Sequence, residues 1–404
     1  MENFFTQLEL CMERRDSLFL YSQVEYMKQR VCLVLLLVTL VYSGSVVAQR
    51  SYDSLYKAAM GGSIAAQVDL GDILLNGLGM PQNDTEALKW YRMAAEKGDA
   101  DAQCSVGYMY ENALAGLATD NKEALKWYRK CAAQGNARCE CSIGNMYENG
   151  KGVNVDYEEA LKWYRLSADK KYDYGYLNVG RMYEKGLAVP HSDTEALKWY
   201  RLASEGGNAV AQGMLGWMFE RGIATKPDTV EALKWYRKSA FNGDATSQNN
   251  LGRMYYFGQG GLPRDYALSA EWFHRAARAG NFLAQYILAQ MHETGIEGAV
   301  EKDMDEAVEL YQAAAKQQHK GAQCRLGRLY YYGQGVKQNY EMAASWYEKA
   351  ADQGDLLATG SLGVMLYEGT GVPKNEQKGL TLLRKAAAGG LKEVQQYMST
   401  HNLK

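Results

Sequence analysis

Aligned against itself, the chain repeats nine times, and no other feature constrains its fold as tightly. Trp90, Trp127, Trp163, Trp199, Trp235, Trp272, Leu310, Trp346 and Leu382 fall 36 to 38 residues apart. A second column, Gly71, Gly107, Gly144, Gly180, Gly216, Gly252, Ala289, Gly327 and Gly363, returns the same nine units. A period of this length marks a stack of small supersecondary units. With 47% apolar residues the array has material for a continuous core, so a disordered chain is excluded.

Each unit reads as two helices. Seven residues before the Trp column stand Asn83, Asp120, Asp156, Ser192, Asp228, Asp265, Asp303, Asn339 and Asn375, all able to accept hydrogen bonds from free helix amides. Three residues further on, Glu86, Glu123, Glu159, Glu195, Glu231 and Glu306 complete the pattern of a capping box. Glycines from Gly98 to Gly390 close this second helix, with Lys171 and Gln318 as departures, and Gly77 to Gly369 close the first helix in eight copies, Ala113 being the exception. A hairpin of about three turns per arm cannot bury its own apolar face, so its stability must come from stacking. Pairs such as Ala94-Ala95, Cys131-Ala132 and Ala314-Ala315 would let neighbouring helices approach closely, and the Gly71 column would do the same from the facing helix.

Ala137 to Gly152, with Ile143-Gly144, Tyr147, Gly150 and Gly152, followed by Val153, Asp156, Ala160, Trp163 and Tyr164, closely resembles the unit of the Sel-1-like repeat family, relatives of tetratricopeptide repeats. The resemblance covers residues 63–390 in nine copies. It implies an all-α fold, a right-handed α-solenoid of nine helix-hairpin repeats. It also implies an adaptor for other proteins, with no catalytic residues and no cofactor attached to the fold. Residues 49–62 then read as an N-terminal capping helix and 391–404 as a C-terminal one.

Val31 to Ala48 is the longest uncharged run, and it follows Lys28 and Arg30 and ends on small residues. It reads as the apolar part of a signal peptide spanning 27–48 with cleavage after Ala48, which makes residues 1–26 a mis-assigned upstream leader and the repeats exported, periplasmic or secreted. A retained membrane anchor is the alternative, since eighteen uncharged residues can just cross a bilayer. Cleavage would leave no stable membrane insertion.

Columns that vary while keeping helical spacing are free to contact a partner. Counted from the Gly71 column they lie at minus two, plus one and plus five, on one helix face. They carry Arg181, Lys185, Met214, Trp217, Arg221, Asn250, Arg253, Phe257, Arg325, Arg328 and Tyr332 in the middle and late copies, against Asp69, Asp72, Ser105, Tyr108, Ser142 and Asn145 in the early ones. On the inner wall of a solenoid these residues would suit a protein or peptide partner, acidic with an apolar anchor, because Arg and Trp dominate such interfaces. The competing reading is an ordinary solvated face. Forty-five basic against forty-seven acidic residues give no field to hold a phosphate backbone, so nucleic acid is not the expected partner.

Cys131 in the last turn of one helix and Cys139 in the first turn of the next lie within disulfide reach, with Cys141 as a competitor for Cys139, and the cysteine-rich secreted branch of the family bridges adjacent helices in a similar way. No metal site is expected, since these sulfurs have no nearby His. His191, His274, His292, His319 and His401 show no ligand spacing and read as surface residues. Ser54-x-x-Lys57 and Ser167-x-x-Lys170 formally match the Ser-x-x-Lys of penicillin-recognising enzymes, but Ser-Asp-Asn and Lys-Thr-Gly do not occur. The runner-up function is therefore an envelope enzyme or cell-wall ligand-binding protein with weak beta-lactamase-like activity.

Overall fold

The computed structural model describes residues 52–403. They form twenty α-helices, and their only β feature is an isolated bridge between Ile296 and Val300. The chain divides into two compact units at Trp163 and Tyr164. The first holds a helix at 52–60, repeat 1 (Ile64–Asn76 and Asp84–Glu96), repeat 2 (Ala100–Glu111 and Asn121–Ala132) and the first helix of repeat 3 (Ala137–Asn149); the second helix of repeat 3 (Tyr157–Asp169) carries the division. The second unit holds six helix pairs, from Asp173–Lys185 with Asp193–Glu205 in repeat 4 to Leu356–Glu368 with Glu376–Ala388 in repeat 9, and ends with Lys392–Thr400.

Every second helix starts on its expected N-cap. Asn83 Oδ1 accepts from the Glu86 N–H at 3.0 Å, Asp120 Oδ1 from Glu123 at 2.9 Å, and Asn339 Oδ1 from Met342 at 2.9 Å. The reciprocal half of the capping box does not form. The N-cap amides are already committed, Asn83 N–H to the Leu74 carbonyl and Asp228 N–H to that of Phe219. The glutamates turn outward instead, and Glu86, Glu123, Glu159, Glu195 and Glu231 pair with the lysine three residues on at 2.6–3.0 Å. Such exposed pairs contribute little stability.

The glycines that close the second helices have positive φ, and Lys171 and Gln318 take the same left-handed conformation at 62° and 65°. A side chain there costs about 1 kcal/mol. Lys171→Gly is therefore expected to raise the urea midpoint by the equivalent of about 0.5–1 kcal/mol, after the entropy cost of glycine. An unchanged midpoint would show the turn to be unstrained.

The core is built from columns. The paired small residues are buried along the array, with Ala94, Cys131, Ser167, Ala203, Ser239, Ala276, Ala314, Ala350 and Ala386 each 0% exposed. The residue after the Trp column is the large buried one, as in Tyr91, Tyr128, Tyr164, Tyr200, Tyr236, Phe273 and Tyr311. Its ring lies flat on the Gly column, so a Cβ at Gly71 would sit 2.5 Å from Tyr91 Cε1 and one at Gly216 would sit 2.6 Å from Tyr236 Cδ1. The glycines thus make room for an aromatic ring in repeats 1, 2, 4, 5, 6 and 8, and for Leu383 in repeat 9. Several tryptophans stay half-buried under a cation three residues on, Trp127 under Lys130, Trp235 under Lys238 and Trp346 under Lys349.

A buried amide ladder links successive helices. Gln103 donates to the Ala95 carbonyl and accepts from Gln134 at 2.9 Å, and Gln323 donates to the Ala315 carbonyl and accepts from Gln353 at 2.7 Å. Each amide adds a second donor to a helix-end carbonyl that a backbone amide of the closing turn already reaches, Ala95 from Gly98 N–H and Ala315 from Gln318 N–H.

Candidate functional site

The variable columns of the second unit line three recesses. Met214, Trp217 and Asn250 border one of about 300 Å³. Arg253, Phe257, Ile287, Gln290 and Thr294 border one of about 600 Å³, together with Tyr256 and Tyr266. Arg325, Arg328, Tyr332 and Ser361 border a third of about 320 Å³. All of these column residues stand two before, one after or five after the Gly71 column, so helical spacing alone brings them to the recesses. Three aromatic side chains of these columns remain exposed there, Trp217 at 37%, Phe257 at 55% and Tyr332 at 61%. Aromatic neighbours brace two of them: Tyr256 meets Phe257 edge-on at 5.0 Å, and Tyr331 meets Tyr332 at 4.9 Å.

The basic residues fall into two groups. Lys185, Arg221 and Arg328 are exposed, whereas Arg181, Arg253 and Arg325 are half-buried. Arg181 donates to Asn178 Oδ1 at 3.0 Å. Arg253 pairs with Glu220, and Arg325 grips Glu293 through two bonds of 2.8 and 2.6 Å. Each of these glutamates also accepts from a core tyrosine of its own repeat, Glu220 from Tyr236 at 2.8 Å and Glu293 from Tyr311 at 2.7 Å. The early repeats vary the theme with Tyr128, Glu111 and Lys151. Burial first, and then the neighbouring carboxylate, push the Tyr236 phenol well above its ordinary range, so it acts as a fixed donor. For Glu293, burial works to raise the carboxyl, but the Arg325 and Tyr311 bonds outweigh it and hold the group below the usual carboxylate range. This tyrosine–acid–cation relay was absent from the expectations. Its signal was in the chain, as a Tyr one residue after the Trp column in every repeat but 6 and 9, and an acid four residues after the Gly column in repeats 2, 3, 4, 5 and 7.

The first unit places Asp69, Asp72 and Tyr108 on the equivalent face, all exposed, and Asp72 accepts from the Tyr91 hydroxyl at 2.6 Å. Cys131 and Cys139 are bonded to each other, while Cys104, Cys141 and Cys324 are buried thiols. Burial, then the Asp355 carboxylate, push the Cys324 thiol up to about 12, which leaves it unreactive. Three histidines are less superficial than expected. His319 caps the first helix of repeat 8 by accepting from the Ala322 N–H at 3.1 Å, and His274 faces His292 with ring centres 5.6 Å apart. Ser167 is fully buried in the small column and offers no path to a substrate, whereas Ser54 and Lys57 are exposed on the helix at 52–60. Among the described residues, no helix is long and apolar enough to cross a membrane; the Val31–Ala48 segment lies outside them.

Helix hairpins stacked within each unit, with short capped turns and, in the second unit, a variable, recessed face, are the build of an α-solenoid scaffold. The Sel1 repeat model matches nine segments, 64–99, 100–136, 137–172, 173–208, 209–244, 245–281, 283–319, 321–355 and 358–391, and the chain belongs to the Sel1 repeat family. Proteins of this kind are generally non-enzymatic and typically mediate protein–protein interaction. Among solved structures, a Sel1 repeat protein from Oxalobacter formigenes is 30% identical, with a TM-score of 0.54, over 80% of this chain and 93% of that one. A protective antigen present in uropathogenic Escherichia coli strains is 33% identical, with a TM-score of 0.45, over 85% of this chain and 80% of that one. No curated protein matches the sequence.

Proposed function

We propose that the chain is a non-enzymatic, exported repeat scaffold that holds an acidic protein or peptide segment, with an apolar anchor, along the first helices of repeats 4 to 8. One observation carries this reading: Trp217, Phe257 and Tyr332 stay exposed beside recesses on a single helix face, where an interface would repay the cost of exposing them. Lys185, Arg221 and Arg328 supply the attraction for carboxylates, and Arg181 lies on the same face. Arg253 and Arg325 are committed to Glu220 and Glu293, so their role is to brace the recess walls. Export rests on the Val31–Ala48 segment, and a mature end at Gln49 on N-terminal sequencing is the result it requires.

An array of short peptides graded in Asp and Glu content, each with or without one aromatic residue, tests the binding face. The chain is expected to retain acidic, anchored peptides, and Trp217→Ala with Phe257→Ala and Tyr332→Ala to weaken them by about tenfold or more. Arg221→Glu with Arg328→Glu should remove the preference for acidic sequences. Equal retention of basic peptides, or unchanged binding by the aromatic triple variant, would overturn the reading.

A further inference from the structure

We propose that Cys104, Cys131 and Cys139 form a thiol–disulfide exchange site, in which the Cys104 thiol attacks the Cys131–Cys139 bridge and takes over Cys131. Helix packing in the first unit builds the site. Cys104 lies on the first helix of repeat 2, Cys131 at the end of its second helix and Cys139 in the first turn of repeat 3. The three sulfurs lie within 4.8 Å of one another, and none of the three residues is more than 1% exposed. To react, the Cys104 sulfur has to close from within 4.8 Å to the about 2 Å of a bonded pair, a displacement on the scale of a side-chain movement.

The exchange needs no outside oxidant or reductant. Cys104 loses its proton, its thiolate forms a bond to Cys131 Sγ, the Cys131–Cys139 bond breaks, and the electron pair leaves on Cys139 Sγ, which takes up a proton. Cys139 is the better leaving group because it sits in the first turn of a helix, where the N-terminal amides favour a thiolate; its own N–H bonds to the Asn136 N-cap at 3.2 Å. The new bridge ties the two helices of repeat 2 together and releases the staple between repeats 2 and 3. Exchange is slow near neutrality. Burial pushes the Cys104 thiol up to about 11, with Arg138 lowering it and Asp101 and Glu111 raising it, and the buried Tyr128 phenol facing it as well. The rate should therefore climb about tenfold per pH unit between about pH 7 and 9, as the thiolate fraction grows.

The full-length chain carrying Cys139→Ala, oxidised in air, quenched in acid, alkylated under denaturing conditions and digested, is expected to yield a Cys104–Cys131 peptide as its main bridge. The unaltered chain should accumulate the same peptide, with alkylated Cys139, faster at pH 9 than at pH 7. Far-UV circular dichroism reports whether the variant is folded, and if it is not, the unaltered chain decides. Cys104 recovered only as a free thiol, in the folded variant or in the unaltered chain at pH 9, would overturn the proposal, and so would its pairing with any cysteine other than Cys131.

Discussion

Gly216→Val is expected to cost about 3 kcal/mol or more of stability, a larger loss than any surface substitution on this chain should cause. The added Cβ alone would stand 2.6 Å from Tyr236 Cδ1 and 2.7 Å from Cε1, and the Tyr236 ring is fully buried, so it has no free space into which to retreat. Other repeats grade the expectation. Repeat 7 carries Ala289 at this position and still buries Tyr311 completely, so Gly216→Ala should cost distinctly less than Gly216→Val. Repeat 9 places Leu383 opposite Gly363, with its Cγ 3.1 Å from a Cβ built there, so adding Tyr236→Leu to Gly216→Val should recover part of the loss. Urea unfolding of the single and paired variants, followed by circular dichroism, measures all three. Equal losses for alanine and valine, or no recovery in the pair, would mean that the ring and the glycine are not in register.

Arg325→Met should lower stability at neutral pH by about 2 kcal/mol, and the loss should shrink in acid. The substitution keeps the aliphatic stem but leaves the Glu293 carboxylate, whose side chain is 11% exposed, with Tyr311 as its remaining donor. The figure is held below that of a fully buried pair because the Arg325 side chain is 29% exposed and partly screened by solvent. The pH dependence follows from the depressed folded-state pKa of Glu293. A depressed carboxyl contributes stability that is fully present above its unfolded value, about 4.3, and is lost as pH falls through its lower folded value. The unaltered protein and Arg325→Met should therefore differ most above about pH 5, and the difference should shrink as pH falls toward and through the lowered folded value of Glu293. A difference that stays constant across this range would assign the effect to lost packing around the arginine.

Much of the array was readable in one dimension because its parts are local. An N-cap acts on the amide three residues ahead and a left-handed glycine on its own turn, so the expected caps and turns recur in the fold. The outward turn of Glu86 and its counterparts was not readable, because it depends on a carbonyl from the preceding helix that occupies the N-cap amide first. The candidate face shows the same division. Spacing alone identified Trp217, Phe257 and Tyr332 as neighbours on one side of the first helices, but Arg253 and Arg325 could not be told from Arg221 and Arg328 without knowing which carboxylates lie across the helix junction.

The repeat period, helix boundaries and variable columns were determined by the sequence by itself, since each follows from residues within one turn or one unit of each other. Tertiary packing alone decided which tyrosine meets which acid and which cation remains available to a partner. It also chose the third sulfur beside the bridge: Cys104, 27 residues before Cys131, approaches because two helices stack, while Cys141, two residues from Cys139, is carried elsewhere around its helix. Proximity along the chain sets local conformation, but side chains that act together are selected by contact across packed helices, and that information exists only once the stack has formed.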